Sequence, residues 1–178
     1  MKKDEKHPAS LRSKQWITDS LLQLMEKKKY EDITITNICN HAQLARRTFY
    51  RHFESKEEVI DKLVERVVQE FIDCMQGTSL LDFRTYITTY YRFWHEHMQL
   101  LLLLNKDSLL DVLAIEYIKR FSEVLYLNTK DMDSSNLNLI WAFCSGGLWS
   151  LLVYWITVDS TKTADEISDT LFSYVQFK

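Results

Sequence analysis

A chain of 178 residues with three Gly and one Pro (Pro8) has length for a real core, in one large domain or two small ones, and nothing after its start that forbids long helices. Its three cysteines, Cys39, Cys74 and Cys144, are odd in number and far apart, which argues against a disulfide framework or a zinc site and fits a reducing cytoplasm. The net charge of -3 hides an asymmetry: residues 1–56 hold 12 Lys/Arg against 7 Asp/Glu, and the remainder 10 against 18. A basic head on an acidic body concentrates attraction for phosphate in one place.

Apolar residues recur at helical spacing and strand-type alternation is scarce, so the expectation is all-α. The start, MKKDEKHPAS, lacks an apolar core and does not read as a signal peptide. A first helix is predicted from about Ser10 to Lys28, with Ile17, Leu21, Leu24 and Met25 on one stripe. A second follows Thr34 as its N-cap, with Ile35, Ile38 and Cys39 inward, and a third follows a turn at Gln43-Leu44. Ser55 and Glu58 form a capping box that opens a fourth, striped with Val59, Ile60, Leu63, Val64, Val67, Phe71 and Ile72. Gly77-Thr78-Ser79 breaks the pattern, which predicts a head over 1–56, a connecting helix over 55–76 and a helical body over 77–178.

In the body, helices are predicted near Leu81–Glu96, His97–Leu104 and Ser108–Leu127, with Ser134 or Ser135 capping a long apolar helix. Thr163-Ala164-Asp165-Glu166 is a second capping box, opening a last helix with Ile167, Leu171 and Val175 on one side. The run Leu139 to Val158 holds no charge and is long enough for a bilayer. Ser145, Ser150, the Gly146-Gly147 pair and the lack of a flanking basic cluster favour the central helix of a bundle or dimer, with no membrane.

Two short helices joined by a tight turn, the second carrying Arg46, Arg47, Thr48, Tyr50, Arg51 and His52, have the donor density of a helix that enters a DNA groove. Arg46, Arg47 and Thr48 are the candidates for base edges, with contact to phosphate alone as the alternative. Thr34 is a further candidate for DNA contact, Thr36 for phosphate contact with plain helix surface as the alternative, and Phe49 and Phe53 for core. Lys2, Lys3 and Lys6 read as a frayed tail more than a minor-groove arm.

The stretch Thr34 to Lys56 resembles the DNA-binding domain of the TetR family of bacterial transcriptional regulators. The resemblance rests on Thr34, Ile38, Ala42, the block Thr48-Phe49-Tyr50-x-His52-Phe53, and Lys56 followed by Glu57-Glu58-Val59. It implies that Tyr50, His52 and Lys56 donate to phosphate. Two positions depart from the family pattern: Gln43 stands where Gly is usual, and Ala45 where Ser or Thr caps the reading helix.

In the body, Tyr86, Tyr90, Phe93, Trp94, Met98, Trp141, Phe143 and Trp149 are numerous enough to border an effector pocket, although aromatic residues at helical spacing are more often core. Gly146, Gly147 and Ser150, with Trp155, Ile167 and Leu171, suggest a four-helix dimer seam, with packing inside one subunit as the competitor. His95-Glu96-His97 does not make a metal site, because imidazoles two residues apart on a helix point about 200° apart. No catalytic constellation or cofactor motif stands out, so no enzyme is expected. The implied function is a ligand-responsive transcriptional repressor that binds double-stranded DNA as a homodimer on a palindromic operator, with a small hydrophobic or aromatic effector. The alternative is a regulator or activator of the same fold controlled by a partner protein.

Overall fold

The computed structural model of the chain describes residues 8–76, 78, 82–128, 137–159 and 161–174, and the side chains of all of these except 83, 121–128, 137–142, 144 and 174. Every regular element among them is helical. The order is α1 (Pro8–Lys27), a 3-10 turn (Tyr30–Asp32), α2 (Ile35–His41), α3 (Arg46–His52), α4 (Lys56–Met75), α5 (Phe83–Glu96), α6 (Met98–Lys106), α7 (Leu110–Asn128), α8 (Leu137–Val158) and α9 (Ala164–Tyr174). The chain divides into two compact units, Met1–Arg66 and Val67–Lys178, so the division falls inside α4.

In the first unit α1 packs on α2 and α3, which also pack on each other. The expected stripe closes this core: Ile17, Leu21, Met25, Ile38, Phe49, Phe53, Val59, Ile60, Leu63 and Val64 are all buried. Thr34 caps α2 as its position predicts, through a box with Asn37: the Asn37 amide donates to Thr34 Oγ1 at 3.1 Å and the Thr34 amide to Asn37 Oδ1 at 3.0 Å.

The turn out of α2 is where the two family departures take physical form. Gln43 sits at φ 53°, in the left-handed region that favours Gly. The amide of Leu44 donates to Cys39 O at 2.9 Å and that of Gln43 to Asn40 O at 3.3 Å, the two bonds of a Schellman closure. Ala45 then stands as the N-cap of α3 with no side-chain cap bond. The same closure ends α6, with Ser108 at φ 58° and the Leu109 amide on Leu104 O at 2.8 Å. We therefore expect Gln43→Gly to stabilise the head by about 0.5–1 kcal/mol and Ala45→Ser to add about 1 kcal/mol. Together they should raise the thermal midpoint by a few degrees. An unchanged midpoint for Gln43→Gly would mean that the strain relieved is no larger than the unfolded-chain entropy that a Gly adds.

The Ser55–Glu58 box is present only in part. The Glu58 amide donates to Ser55 Oγ at 3.1 Å, but the Glu58 carboxylate accepts from the Glu54 amide at 2.6 Å, one residue earlier than the reciprocal bond requires. The Thr163–Glu166 box is complete, with bonds of 2.7 Å and 3.2 Å in the two directions.

In the second unit α5 packs on α9, and α6, α7 and α8 pack on one another. Its centre is a cluster of rings. Phe71 lies 5.5 Å from Tyr90, 5.4 Å from Phe93, 5.5 Å from Trp94 and 5.6 Å from Tyr117. At the surface, Arg84–Asp169 at 2.7 Å and Arg92–Asp165 at 2.8 Å tie α5 to α9. Such exposed pairs add little stability each and serve mainly to fix register. Among the described residues no helix is long and apolar enough to cross a membrane. The first residues of α8, to which the uncharged run belongs, lie outside the described side chains.

Candidate nucleic-acid interface

The site begins at the turn. Phe49 faces inward from α3 and Phe53, just past its end, is also buried, so most other positions of that helix are turned outward. Arg46, Arg47, Tyr50 and Arg51 are exposed, while Thr48 and His52 are half-buried. Thr34 and Thr36, at the start of α2, are exposed as well. All the donors assigned to DNA from the sequence, Lys56 included, belong to this one unit.

The donors are not equivalent. Arg46 is folded back along its own helix, donating from Nη2 to Tyr50 Oη at 3.3 Å with its guanidinium 5.8 Å from that ring. Arg51 Nη2 lies 3.5 Å from His52 Nε2. Arg47 makes no bond or ion pair with any described residue. Burial first, then the charges of Arg51 and Lys14, hold the His52 imidazole below its ordinary value. The shift favours the neutral ring, which still has one N–H to donate.

Lys56 is the exception to the expected pattern. Its ammonium points inward, donating to Tyr30 O at 2.7 Å and Glu31 O at 3.2 Å, and lies 4.3 Å from the centre of the Tyr30 ring. The Tyr30 hydroxyl in turn donates to Glu57 Oε1 at 3.3 Å. Burial and the Glu57 carboxylate push that hydroxyl far above its ordinary value, so it stays a donor. Sequence reasoning missed Tyr30, which sits in a short 3-10 turn outside any periodic pattern.

In the body, Tyr86, Tyr90, Phe93 and Trp94 are buried in the ring cluster, and Trp149 stacks on Tyr117 at 5.4 Å. Met98 is half-buried and Phe143 is 79% exposed, while the side chain of Trp141 lies outside the described residues. Trp155 and Ile167 are buried within their own unit. Trp155 packs 5.8 Å from Tyr91, and its Nε1 donates to Lys162 O at 3.0 Å. Gly146, Gly147 and Ser150 are exposed, and a Cβ added at either glycine would meet nothing within 4 Å. Leu171 is half-buried and helps to line a small groove with Leu151, Tyr154, Trp155 and Thr170. His95 stacks on Trp155, whereas His97 bonds to Phe93 O at 2.9 Å and lies 3.6 Å from Glu70. The two imidazoles thus go to different partners. Among the described residues no group of His, Cys, Asp or Glu is placed to hold a metal ion.

A three-helix core that turns an exposed, donor-rich helix outward is a DNA-binding helix-turn-helix, here carried on an all-α chain with a helical second unit. Residues 17–63 match the family described as bacterial regulatory proteins, tetR family, so the head of this chain is similar to the DNA-binding domain of those transcriptional regulators. Over 50 residues, 28% of this chain, it is 40% identical to the uncharacterized HTH-type transcriptional regulator YxbF of Bacillus subtilis (strain 168). That match spans only 13% of the relative's length.

Two solved structures share the fold along nearly the whole chain. The fatty acid degradation regulator FadR from Bacillus halodurans has a TM-score of 0.65 at 16% identity, over 94% of both chains. A candidate fatty acid metabolism regulator from Clostridium perfringens has a TM-score of 0.58 at 17% identity, over 92% of this chain and 100% of that one.

Proposed function

We propose that the chain is a homodimeric repressor whose two α3 helices enter successive major grooves of a palindromic operator, roughly 34–36 Å apart. The observation that carries this reading is the exposed row of Arg46, Arg47, Tyr50 and Arg51 on α3, outside a closed core. Arg47 reads a base edge. Thr34, Thr36, Thr48, Tyr50, Arg51 and His52 hold phosphates, and Arg46 is released from Tyr50 to join them. The test is binding of the purified protein to the DNA upstream of its own gene, against a scrambled duplex, at two salt concentrations. Tight, selective binding with a steep salt slope is expected. Equal, weak binding to both duplexes would defeat this reading for that operator.

The dimer is proposed to close on α8 at Gly146, Gly147 and Ser150, where the absence of large side chains lets a second helix approach. Trp155 and Ile167 are buried within one unit and so are not part of this seam. A mass of one chain by light scattering at micromolar concentration would remove the dimer from the account. In the proposed cycle an effector binds the body and favours a head spacing that no longer fits the operator. A compound with equal affinity for both states could not do this. Aromatic compounds come first because of the ring-rich body. Fatty-acyl compounds come second, because a regulator of this fold governs fatty acid degradation.

A second reading has a specific observation in its favour. Tyr86, Tyr90 and Trp94 are packed into the core while Ile115, Ile118 and Phe143 lie exposed on α7 and α8. Control by a partner protein that covers those apolar side chains would use the surface as it stands. Operator binding that no small molecule relieves, and that a cellular partner does, would select this alternative.

A further inference from the structure

We infer that Lys56 acts in DNA binding as a positioning residue, clamping the turn before α2 onto the start of α4, and not as a phosphate ligand. The inference rests on the proposed DNA-binding function. An ammonium has three N–H donors. Here two of them are spent on the carbonyls of Tyr30 and Glu31, at 2.7 Å and 3.2 Å. The Tyr30 ring lies 4.3 Å away, and such a ring face is itself attractive to a cation. Glu57 completes the clamp by accepting from the Tyr30 hydroxyl. The side chain is half-buried, unlike the exposed Arg46, Arg47 and Arg51.

The clamp sits where it can set the docking geometry. Tyr30–Asp32 is the turn that delivers the chain to Thr34, the N-cap of α2, and Lys56 is the first residue of α4. Lys28 fastens the other side of the turn, donating to Asn37 Oδ1 at 2.7 Å, the side chain that closes the α2 capping box. Holding the turn at both sides fixes where α2 begins, and so where Thr34 and Thr36 stand beside α3. A charge spent in this way changes affinity without being counted in the exchange of ions for phosphates.

That difference can be measured. A lost phosphate ligand lowers the log–log salt slope by about 1, whereas a lost clamp lowers affinity equally at every salt concentration. The protein is titrated against the DNA upstream of its own gene and against a random-sequence duplex, from low to moderate salt, as wild type, Lys56→Met, Tyr30→Leu and the double variant. Circular dichroism confirms that each is folded at the assay temperature. The clamp predicts that Lys56→Met loses about tenfold in affinity with the slope unchanged, that Tyr30→Leu does the same although no DNA contact is assigned to it, and that the double variant is no worse than the weaker single.

A slope reduced by about 1 in Lys56→Met, with Tyr30→Leu unaffected, overturns the inference. Should Lys56→Met unfold, Lys56→Arg decides. It keeps the charge but replaces a compact ammonium, set on two carbonyls and a ring, with a longer planar fork of different geometry, so the clamp predicts lost affinity and a phosphate ligand predicts retained affinity. Wild-type protein that binds neither duplex with a salt slope overturns the DNA-binding reading itself, and this inference with it.

Discussion

Arg47→Ala is expected to weaken binding to the specific duplex by about 1–3 kcal/mol and to relax the preference at a single base position. The structure singles out Arg47 from its neighbours. Arg46 is bonded to the Tyr50 hydroxyl and Arg51 lies against His52, whereas Arg47 is exposed and has no partner among the described residues. A guanidinium that breaks no internal bond on docking keeps the full gain from a bidentate contact to guanine. Arg46→Ala should therefore cost less, because Arg46 leaves Tyr50 before it reaches DNA. The check is a competition titration of both variants against a panel of singly substituted duplexes. A uniform loss across the panel for Arg47→Ala would place that side chain on phosphate.

Phe71→Ala should destabilise the second unit by about 3–5 kcal/mol, the usual cost of emptying a large buried ring site. Phe71 is 1% exposed and touches four other rings, from α5 and α7, so neighbours already packed against one another cannot collapse into the space. The control is Phe143→Ala, which removes the same ring from a position 79% exposed and should change stability by less than about 0.5 kcal/mol. Urea unfolding of the three proteins checks both. A loss below about 1 kcal/mol for Phe71→Ala would mean that the ring cluster is loosely packed or opens to a ligand.

The helical periodicity made the fold legible, because stripes such as Ile17-Leu21-Met25 and Val59-Leu63-Val67 can be buried only by helices. Helix starts were legible wherever a short polar side chain serves its own next turn, as Thr34 and Thr163 do. The Ser55–Glu58 box shows the limit: the sequence has both partners, but the Glu58 carboxylate reaches the Glu54 amide instead. Gln43 shows the opposite case, since a departure from Gly announced the strain that its φ of 53° displays. What stayed hidden is what depends on contact between distant segments. Nothing near Lys56 in the chain says that its charge lies on carbonyls 25 and 26 residues earlier. For the same reason aromatic spacing alone could not separate buried Trp94 from exposed Phe143.

The tryptophans are distributed so that each unit carries its own optical reporter. Trp16 is the one tryptophan in residues 1–66, and it is 50% exposed. Trp94 and Trp155 belong to the second unit and are almost fully buried. Emission from Trp16 is therefore red-shifted in the folded state and changes little in colour on unfolding, while the buried indoles start blue and shift strongly. A Trp16→Phe protein silences the head, and the difference between its spectrum and the parent's isolates that indole. Events at the α1 face of the DNA-binding unit and events in the ring cluster can then be followed in the same cuvette, without a dye, as DNA or an effector is added.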